Sequence, residues 1–468
     1  MYDIPHLLKC LRNNLINSDY YLKPDPKDKV KRYQFVASWS HFRQLVELDS
    51  KKPTSLRYCP KIGIKTHVRP SNFKRMKVKY ATQAFSHTVS CALSTHALAP
   101  DSPVPTSATK TANFFKFMDT LFDCFNSSNR YESKPFKCAL QDGSVHFDFL
   151  TDARDYINRL VKLNPNGKFT RPPSFTGWAQ NITALLQFWE DAKADGVDFL
   201  RTRLLSQDFL ENLFGVIRGM GGSRDNPTAD QFRDALRQAM VSDVLNLRHP
   251  EGNCESDTAK FLFDFNDSKK PLDSSSVNAS VGLHGVGSAA NMDVPAGLSS
   301  VPVTSVTDEN ICFYVAGVCV RKFVQCLKDH DQCTCALYVR RTDAKFSEPQ
   351  QIFTHLKAYA DFGDDFGALS VPTDNFIKCI TGWNDIFHKN IDHSINDKNV
   401  IWKLKNLCLE TVDLSWFPEN PICREKLITV LIYFLRIRIF YMLKTINQSI
   451  VDGPKTKENR KYRNLSNL

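Results

Sequence analysis

No secretory leader opens these 468 residues: Met1-Tyr2-Asp3-Ile4-Pro5-His6 has no basic segment followed by an apolar one. Long hydrophobic runs are equally scarce. The only segment apolar enough to suggest a membrane is Leu427 to Leu443, 17 residues that include Arg436 and Arg438. Each arginine would cost roughly 2.5 to 3.5 kcal/mol at a bilayer centre, so a buried helix with a basic edge is expected and no membrane partner. Cysteine is too sparse for a disulfide scaffold, at 14 residues. Cys91, Cys124, Cys138, Cys379 and Cys408 sit singly in apolar segments, which suits buried thiols in a reducing compartment. There is no G-x-x-x-x-G-K-S/T phosphate loop, which argues against a P-loop GTPase. Alternating strand patterns are few, and no internal repeat is visible.

The composition that remains is globular: 42% hydrophobic, 24% charged, with length for two to four domains. Lys and Arg outnumber Asp and Glu by 61 to 50, a net +11 that tilts the partners toward polyanions. Acidic residues are missing from one place in particular. Residues 51–80 hold ten Lys or Arg and no Asp or Glu, with Tyr58, His67, Phe73 and Tyr80 interleaved. Such a segment can neutralise phosphates and stack on bases, or it can simply be a solvated basic face.

Apolar spacing predicts helices at His6–Leu15, Trp39–Leu48, Ala81–Leu98, Ala112–Asn126, Asp148–Leu163, Trp178–Ala194 and Ser206–Arg218, and another from Asn226-Pro227-Thr228 to Leu247. Ser206 is placed to cap its helix, and Gly219, Gly221 and Gly222 to end it. Residues from about 252 to 308 turn to Ser, Val, Gly and Ala, a linker composition, and a mostly helical unit follows to about Asn447, then a basic tail.

Asp208 and Glu211 are three apart near a helix start, so both carboxylates lie within one turn and can share a divalent cation. First-turn acids also simply complement the helix dipole. Cys326, His330, Cys333 and Cys335 contain enough soft ligands for zinc at an unusual C-x3-H-x2-C-x-C spacing, against the alternative of idle or buried thiols. His41 and His87 fall within helices, where a satisfied imidazole is expected.

The string Thr202-Arg203-Leu204-Leu205-Ser206-Gln207-Asp208-Phe209-Leu210-Glu211-Asn212-Leu213-Phe214-Gly215-Val216-Ile217-Arg218, followed by Gly221-Gly222-Ser223-Arg224-Asp225-Asn226-Pro227-Thr228-Ala229, closely resembles the signature near the end of the catalytic domain in P-element-like (THAP-type) DNA transposases. Asp3-Ile4-Pro5-His6 with Arg12-Asn13-Asn14 resembles the family's Asp-x-x-His segment. Trp39-Ser40-His41, Lys77 to Ser86, Leu121 to Ser127 and Gly177-Trp178 resemble its helical insertion. Weaker likeness continues at Tyr314-Val315-Ala316-Gly317, Leu369 to Asp374 and Arg436-Ile437-Arg438.

The resemblance implies a mainly α fold with an α+β remnant: a helical nucleotide-binding insertion within a truncated RNase H-like core, plus a helical C-terminal domain. The implied boundaries are 1–20 (core remnant), 21–195 (insertion), 196–250 (end of the RNase H-like domain), 251–308 (linker) and 309–468. It implies GTP and Mg²⁺ as cofactors and a nuclear location. Transposon-end DNA is the implied partner, with a second copy or a full-length transposase as a further one. Glu211 matches the third catalytic carboxylate, and Asp208 a residue where the nucleotide and metal sites approach. Asp123, Phe122 and Asn126 match positions around guanine. Lys61, Lys77, Val78 and Ser86 match other nucleotide contacts, with Lys65 a rival to Lys61. The family's first two catalytic carboxylates would fall before Asp3, so this chain alone is not expected to cut DNA. A non-catalytic, domesticated regulator is the alternative.

Overall fold

The computed structural model describes residues 1–24, 32–52, 57–220, 226–241, 305–327, 334–341, 348–358, 369–394 and 399–452. The chain forms two compact units, Met1–Ser206 with Ser299–Leu468, and Gln207–Leu298. The fold is mainly α with small sheets, as the sequence implied.

In the first unit the N-terminal elements are α1 (Ile4–Asn17), β1 (Tyr20–Leu22), β2 (Gln34–Ala37), α2 (Trp39–Lys51), α3 (Asn72–Met76), α4 (Val78–Ala84), α5 (His87–Leu98) and α6 (Ala108–Cys124). They are followed by β3 (Leu140–Gln141), α7 (His146–Arg159), β4 (Leu160–Leu163), β5 (Phe169–Thr170), α8 (Pro173–Ala194) and β6 (Phe199–Leu200). α1 starts where Asp3 accepts the His6 N–H at 3.0 Å, and its Ile4, Leu7, Leu8, Leu11 and Leu15 form one buried stripe. α5 has no polar face: Ser90, Ser94, Thr95 and His96 are buried with its apolar residues, and it packs closely along α6. Its hydroxyls turn inward onto backbone, Ser90 to Ala112 O at 2.7 Å and Thr95 to Cys91 O at 2.8 Å.

Four strands form an antiparallel sheet in the order β2-β1-β4-β5, with Tyr20 opposite Ala37 on one side and Lys162 on the other. β3 pairs with β6. Two sequence expectations change here. The helix expected through Leu163 stops at Arg159, because Leu160 to Leu163 supplies the partner that β1 requires on its second edge. The helix expected over Ala81–Leu98 breaks at Phe85–Ser86, where Ser86 turns its hydroxyl to the Val89 N–H and starts α5 afresh.

Beyond residue 304 come α11 (Val306–Cys326), α12 (Ala336–Val339), α13 (Ile352–Lys357), α14 (Asp374–Ser394), α15 (Val400–Thr411) and α16 (Pro421–Asp452). Ser305 caps α11 by accepting the Asp308 N–H at 3.1 Å. α11 belongs to two cores at once. Ile311 and Cys312, with Phe353 of α13, join the core built on α1, α2, α5, α6 and α8. Ala316, Cys319, Val320 and Phe323 join a second core with Trp383, Leu427, Leu431 and Phe434. A separate unit starting at 309 was expected; the first turns of α11 instead bury against the N-terminal elements.

Gly317 marks the close approach within that second half. A Cβ there would lie 2.6 Å from the Ser370 carbonyl oxygen, so the two weak sequence matches around Gly317 and Ser370 are in direct contact. α16 buries Leu427, Val430, Leu431, Phe434 and Leu435, leaves Arg436 exposed and buries Arg438 with its guanidinium 4.8 Å from the Phe434 ring centroid. No helix among the described residues is long and apolar enough to cross a membrane. The described cysteines are unbridged and mostly buried, Cys138 being half-buried. His330 and Cys333 of the zinc candidate lie outside the described residues, as does most of the expected linker.

In the second unit α9 (Asp208–Met220) packs on α10 (Ala229–Val241), with the Phe214 and Phe232 ring centroids 6.3 Å apart. α10 starts with a reciprocal cap: Thr228 N–H donates to Gln231 Oε1 at 3.1 Å and Gln231 N–H to Thr228 Oγ1 at 3.4 Å. Gly221 and Gly222, expected to end α9, lie outside the described residues.

Two predictions follow from the packing. Gly317→Ala forces a methyl against backbone that cannot rotate away and should cost about 1–3 kcal/mol in urea unfolding; an unchanged midpoint would contradict the close approach. Separately, burial pushes His67, His87 and His96 from the ordinary 6.5 down to about 4. The unfolded chain takes up these protons below about pH 6.5 and the folded chain only near pH 4, so stability is lost as pH falls across that window. The carboxyls of Asp119, Asp49 and Asp385, raised chiefly by desolvation, work the other way, but burial also lowers His41, His146 and His388, so six imidazoles stand against three carboxyls. The urea midpoint should therefore drop between pH 7 and 5, and less steeply in His96→Gln.

Candidate nucleotide site

The break between α4 and α5 positions the residues of interest. Ser86 sits at its corner, and the next amide, His87 N–H, donates to the carboxylate of Asp119 on α6. One turn further along α6, Phe122 and Asp123 precede the helix end at Cys124. Lys134, from the loop after α6, bridges the two acids, its ammonium 3.0 Å from Asp119 and 2.7 Å from Asp123. The Asp119 carboxyl is raised by burial first, with the Asp123 charge adding and Lys134 opposing. Phe122 is half-buried against the core, and Asn126 N–H donates to Asp123 O at 3.0 Å as the helix closes.

A clasp that the sequence did not single out holds this helix end. Thr202 Oγ1 donates to Cys124 O at 2.7 Å, Ser127 N–H donates to Thr202 Oγ1 at 3.2 Å, and Thr202 N–H donates to Ser127 Oγ at 2.9 Å. All of it is buried. Thr202 opens the long motif string, but nothing local announces a partner 75 residues earlier.

Lys77 stands at the corner between α3 and α4, its Nζ 5.0 Å from the exposed Phe73 ring, and Val78 is the first residue of α4. Lys61 is exposed on a turn closed by the Ile62 N–H to Cys59 O bond at 2.9 Å. The next residues wind once around His67, whose Nδ1 accepts the Gly63 N–H at 3.1 Å while Nε2 faces Gln83 Oε1 of α4 at 2.9 Å. Lys65, the rival to Lys61, is also exposed. Buried Arg12 of α1 donates to the Arg75 carbonyl, so the Asp-x-x-His segment and the basic segment meet. Burial, with Arg75 adding, lowers the Arg12 guanidinium to about 10. His41 is satisfied as expected, its Nδ1 2.8 Å from Thr111 Oγ1.

Lys61 and Ser86 share a cavity of about 540 Å³ with Arg57, Tyr314, Lys357 and Arg438, and no Asp or Glu among the described residues lines it. Asp123, Phe122, Asn126, Lys77 and Val78 are not on its wall. The sequence candidates in the first unit thus fall into three groups: an acidic corner bridged by Lys134, a basic cavity lined by Lys61 and Ser86, and the α3–α4 corner with Lys77 and Val78.

In the second unit, Asp208 begins α9 and is buried, while Glu211, one turn on, is exposed and gives its N–H to Gln207 O at 3.0 Å. No group of three His, Cys, Asp or Glu side chains that could hold a metal occurs among the described residues. The pair falls short of the donor set of a catalytic Mg²⁺ centre, and no chemical step is assigned through such an ion.

Residues 5–139 match the model of the TNP-like GTP-binding insertion domain, and residues 204–237 that of the TNP-like RNase H C-terminal domain. The Transposable element P transposase of Drosophila melanogaster is 29% identical over 53% of this chain and 30% of its own length. The DNA transposase THAP9 of Homo sapiens is 27% identical over 50% of this chain and 25% of its own length. The chain therefore spans under a third of either relative. The Drosophila P element transposase strand transfer complex matches with a TM-score of 0.41 at 27% identity, covering 52% of each chain. Both matched domains occur in the order and at the positions of the motifs above, so the chain carries a TNP-like GTP-binding insertion domain and a TNP-like RNase H C-terminal segment and is homologous to P element transposase and THAP9.

Proposed function

We propose that this transposase relative binds guanosine nucleotide and DNA. The observation that carries the reading is that every nucleotide candidate, Lys61, Lys77, Val78, Ser86, Phe122, Asp123 and Asn126, lies within residues 5–139, the stretch matching a GTP-binding insertion domain. Asp123 supplies the specificity: a carboxylate accepts from both the ring N–H and the exocyclic amine of guanine, a donor pair adenine lacks, and Phe122 offers an aromatic face beside it. Because Lys134 already holds Asp123, guanine takes the place of one ion pair at that carboxylate. Lys77 and Lys61 are the phosphate contacts in this reading, with the Ser86 hydroxyl as a donor.

DNA is the second partner, met by the basic segment, where Lys61, Lys65, Arg69 and Lys79 are exposed and the Phe73 ring stands free of the core. Glu211 and Asp208 form this chain's share of a carboxylate cluster for transposon cleavage and strand transfer, the parent reaction. The corresponding location is the nucleus, and a second transposase copy is a further partner.

Titration with GTP and ATP tests the guanine assignment. GTP should bind at least tenfold more tightly, and Asp123→Ala should remove most of that preference, the order of effect of leaving two donors unpaired; equal affinity for both nucleotides would sink it. For DNA, Lys65→Ala and Lys79→Ala should each lower the slope of log affinity against log salt by about 1. An unchanged slope in both would move the contact elsewhere.

A further inference from the structure

The cavity behind Ser86 has two walls from parts of the chain far apart in sequence. One wall is the Arg57–Ile62 turn with the Thr82–Val89 corner; the other comes from α11, α13 and α16. Four of its lining side chains are cationic, Arg57, Lys61, Lys357 and Arg438, and no carboxylate is among them. Four cationic side chains and no carboxylate facing one space favour an anion there.

These cations are not equivalent. Arg57 spends its guanidinium on the turn itself, donating to Lys52 O at 3.0 Å and Ser50 O at 2.8 Å, with buried Asp49 beside it. Among the described residues, Lys357 Nζ lies 3.1 Å from Tyr314 Oη, 4.7 Å from the centre of that ring and 5.7 Å from that of Phe353. An ammonium held over an aromatic face by one hydroxyl keeps donors to spare. Lys61 reaches the same space from its exposed turn. Ser86, Thr82, Thr88, Tyr314 and Tyr433 add hydroxyl-bearing side chains to a lining that is otherwise largely apolar, with Val89, Ile311 and Phe434 among it.

We infer that this cavity receives the polyphosphate of the nucleotide, and that the C-terminal helices supply part of the phosphate grip through Lys357 and Arg438 together with Lys61 and Ser86. The inference rests on the guanosine-nucleotide reading above and extends it to residues outside the matched insertion domain. Bound nucleotide then contacts both walls, so its phosphates cross-link α13 and α16 to the Lys61 turn.

The test is calorimetric titration of the full chain with GTP, GDP, guanosine and inorganic tripolyphosphate, using wild type, Lys357→Met, Lys61→Met and Asp123→Ala, each first checked for an unchanged circular dichroism spectrum. Lys357→Met and Lys61→Met should each weaken GTP about tenfold or more, GDP less, and leave guanosine unchanged, the scale of one charge-assisted hydrogen bond. Asp123→Ala should weaken all three guanosine ligands and leave tripolyphosphate binding intact. If wild type binds GTP and both lysine variants bind it as tightly, the cavity assignment is overturned while the nucleotide reading stands. If wild type binds no guanosine ligand but binds tripolyphosphate in a Lys357-dependent way, the base assignment fails and the phosphate cavity survives. Binding of neither overturns both.

Discussion

Asp49 organises the part of the molecule on which the candidate site depends. Its buried carboxylate accepts the Tyr58 N–H at 2.8 Å and the Cys59 N–H at 3.0 Å, pulling the basic segment into a turn against the end of α2. Burial raises its carboxyl, and those two amides with Arg57 and Lys52 oppose the shift. Once the turn is fixed, Tyr58 can bury its ring between His96 and Phe353 and give its hydroxyl proton to the Thr307 carbonyl at the start of α11. Lys52 adds a 2.6 Å ion pair to Asp308. A charge buried this deeply is tolerated because its acceptors are filled by backbone that has no other partner there. Through that turn the C-terminal helices gain a docking surface and Lys61 acquires its place.

Much of the architecture was legible because it is local. Helical apolar spacing locates α1, α2, α6, α8 and α9, and the transposase motifs are long enough to carry the family resemblance on their own. The misreadings were also local. A continuous apolar pattern hid the Ser86 corner, since a serine inside such a pattern reads as a helix residue until its own downstream amide competes for it. Leu160 to Leu163 continued a helical rhythm, and only the open edge of β1, 140 residues earlier, turned it into a strand.

What the sequence could not display is convergence. Lys61 lies hundreds of residues from Lys357 and Arg438, which sit on different helices, and a pattern search has no reason to group them. The Asp119–Asp123–Lys134 corner is compact in sequence, yet Asp119 reads only as a polar position on an apolar helix, Asp123 stands out only through the family resemblance, and the lysine is one loop residue among many. The Thr202–Ser127 clasp is similarly silent, because threonine and serine carry no pattern of their own. In each case the chemistry comes from side chains that meet only after α5 and α6 have packed.

α11 gives these separate features a common mechanical basis. Its first turns are sealed into one core and its later turns into another, with Gly317 leaving no slack against Ser370. A helix held at both ends in this way acts as a rigid strut: sliding it to relieve strain in one core would tear packing in the other. Local softening at the C-terminal end therefore has no independent outlet, and is felt as a change in the spacing of the walls around the basic cavity.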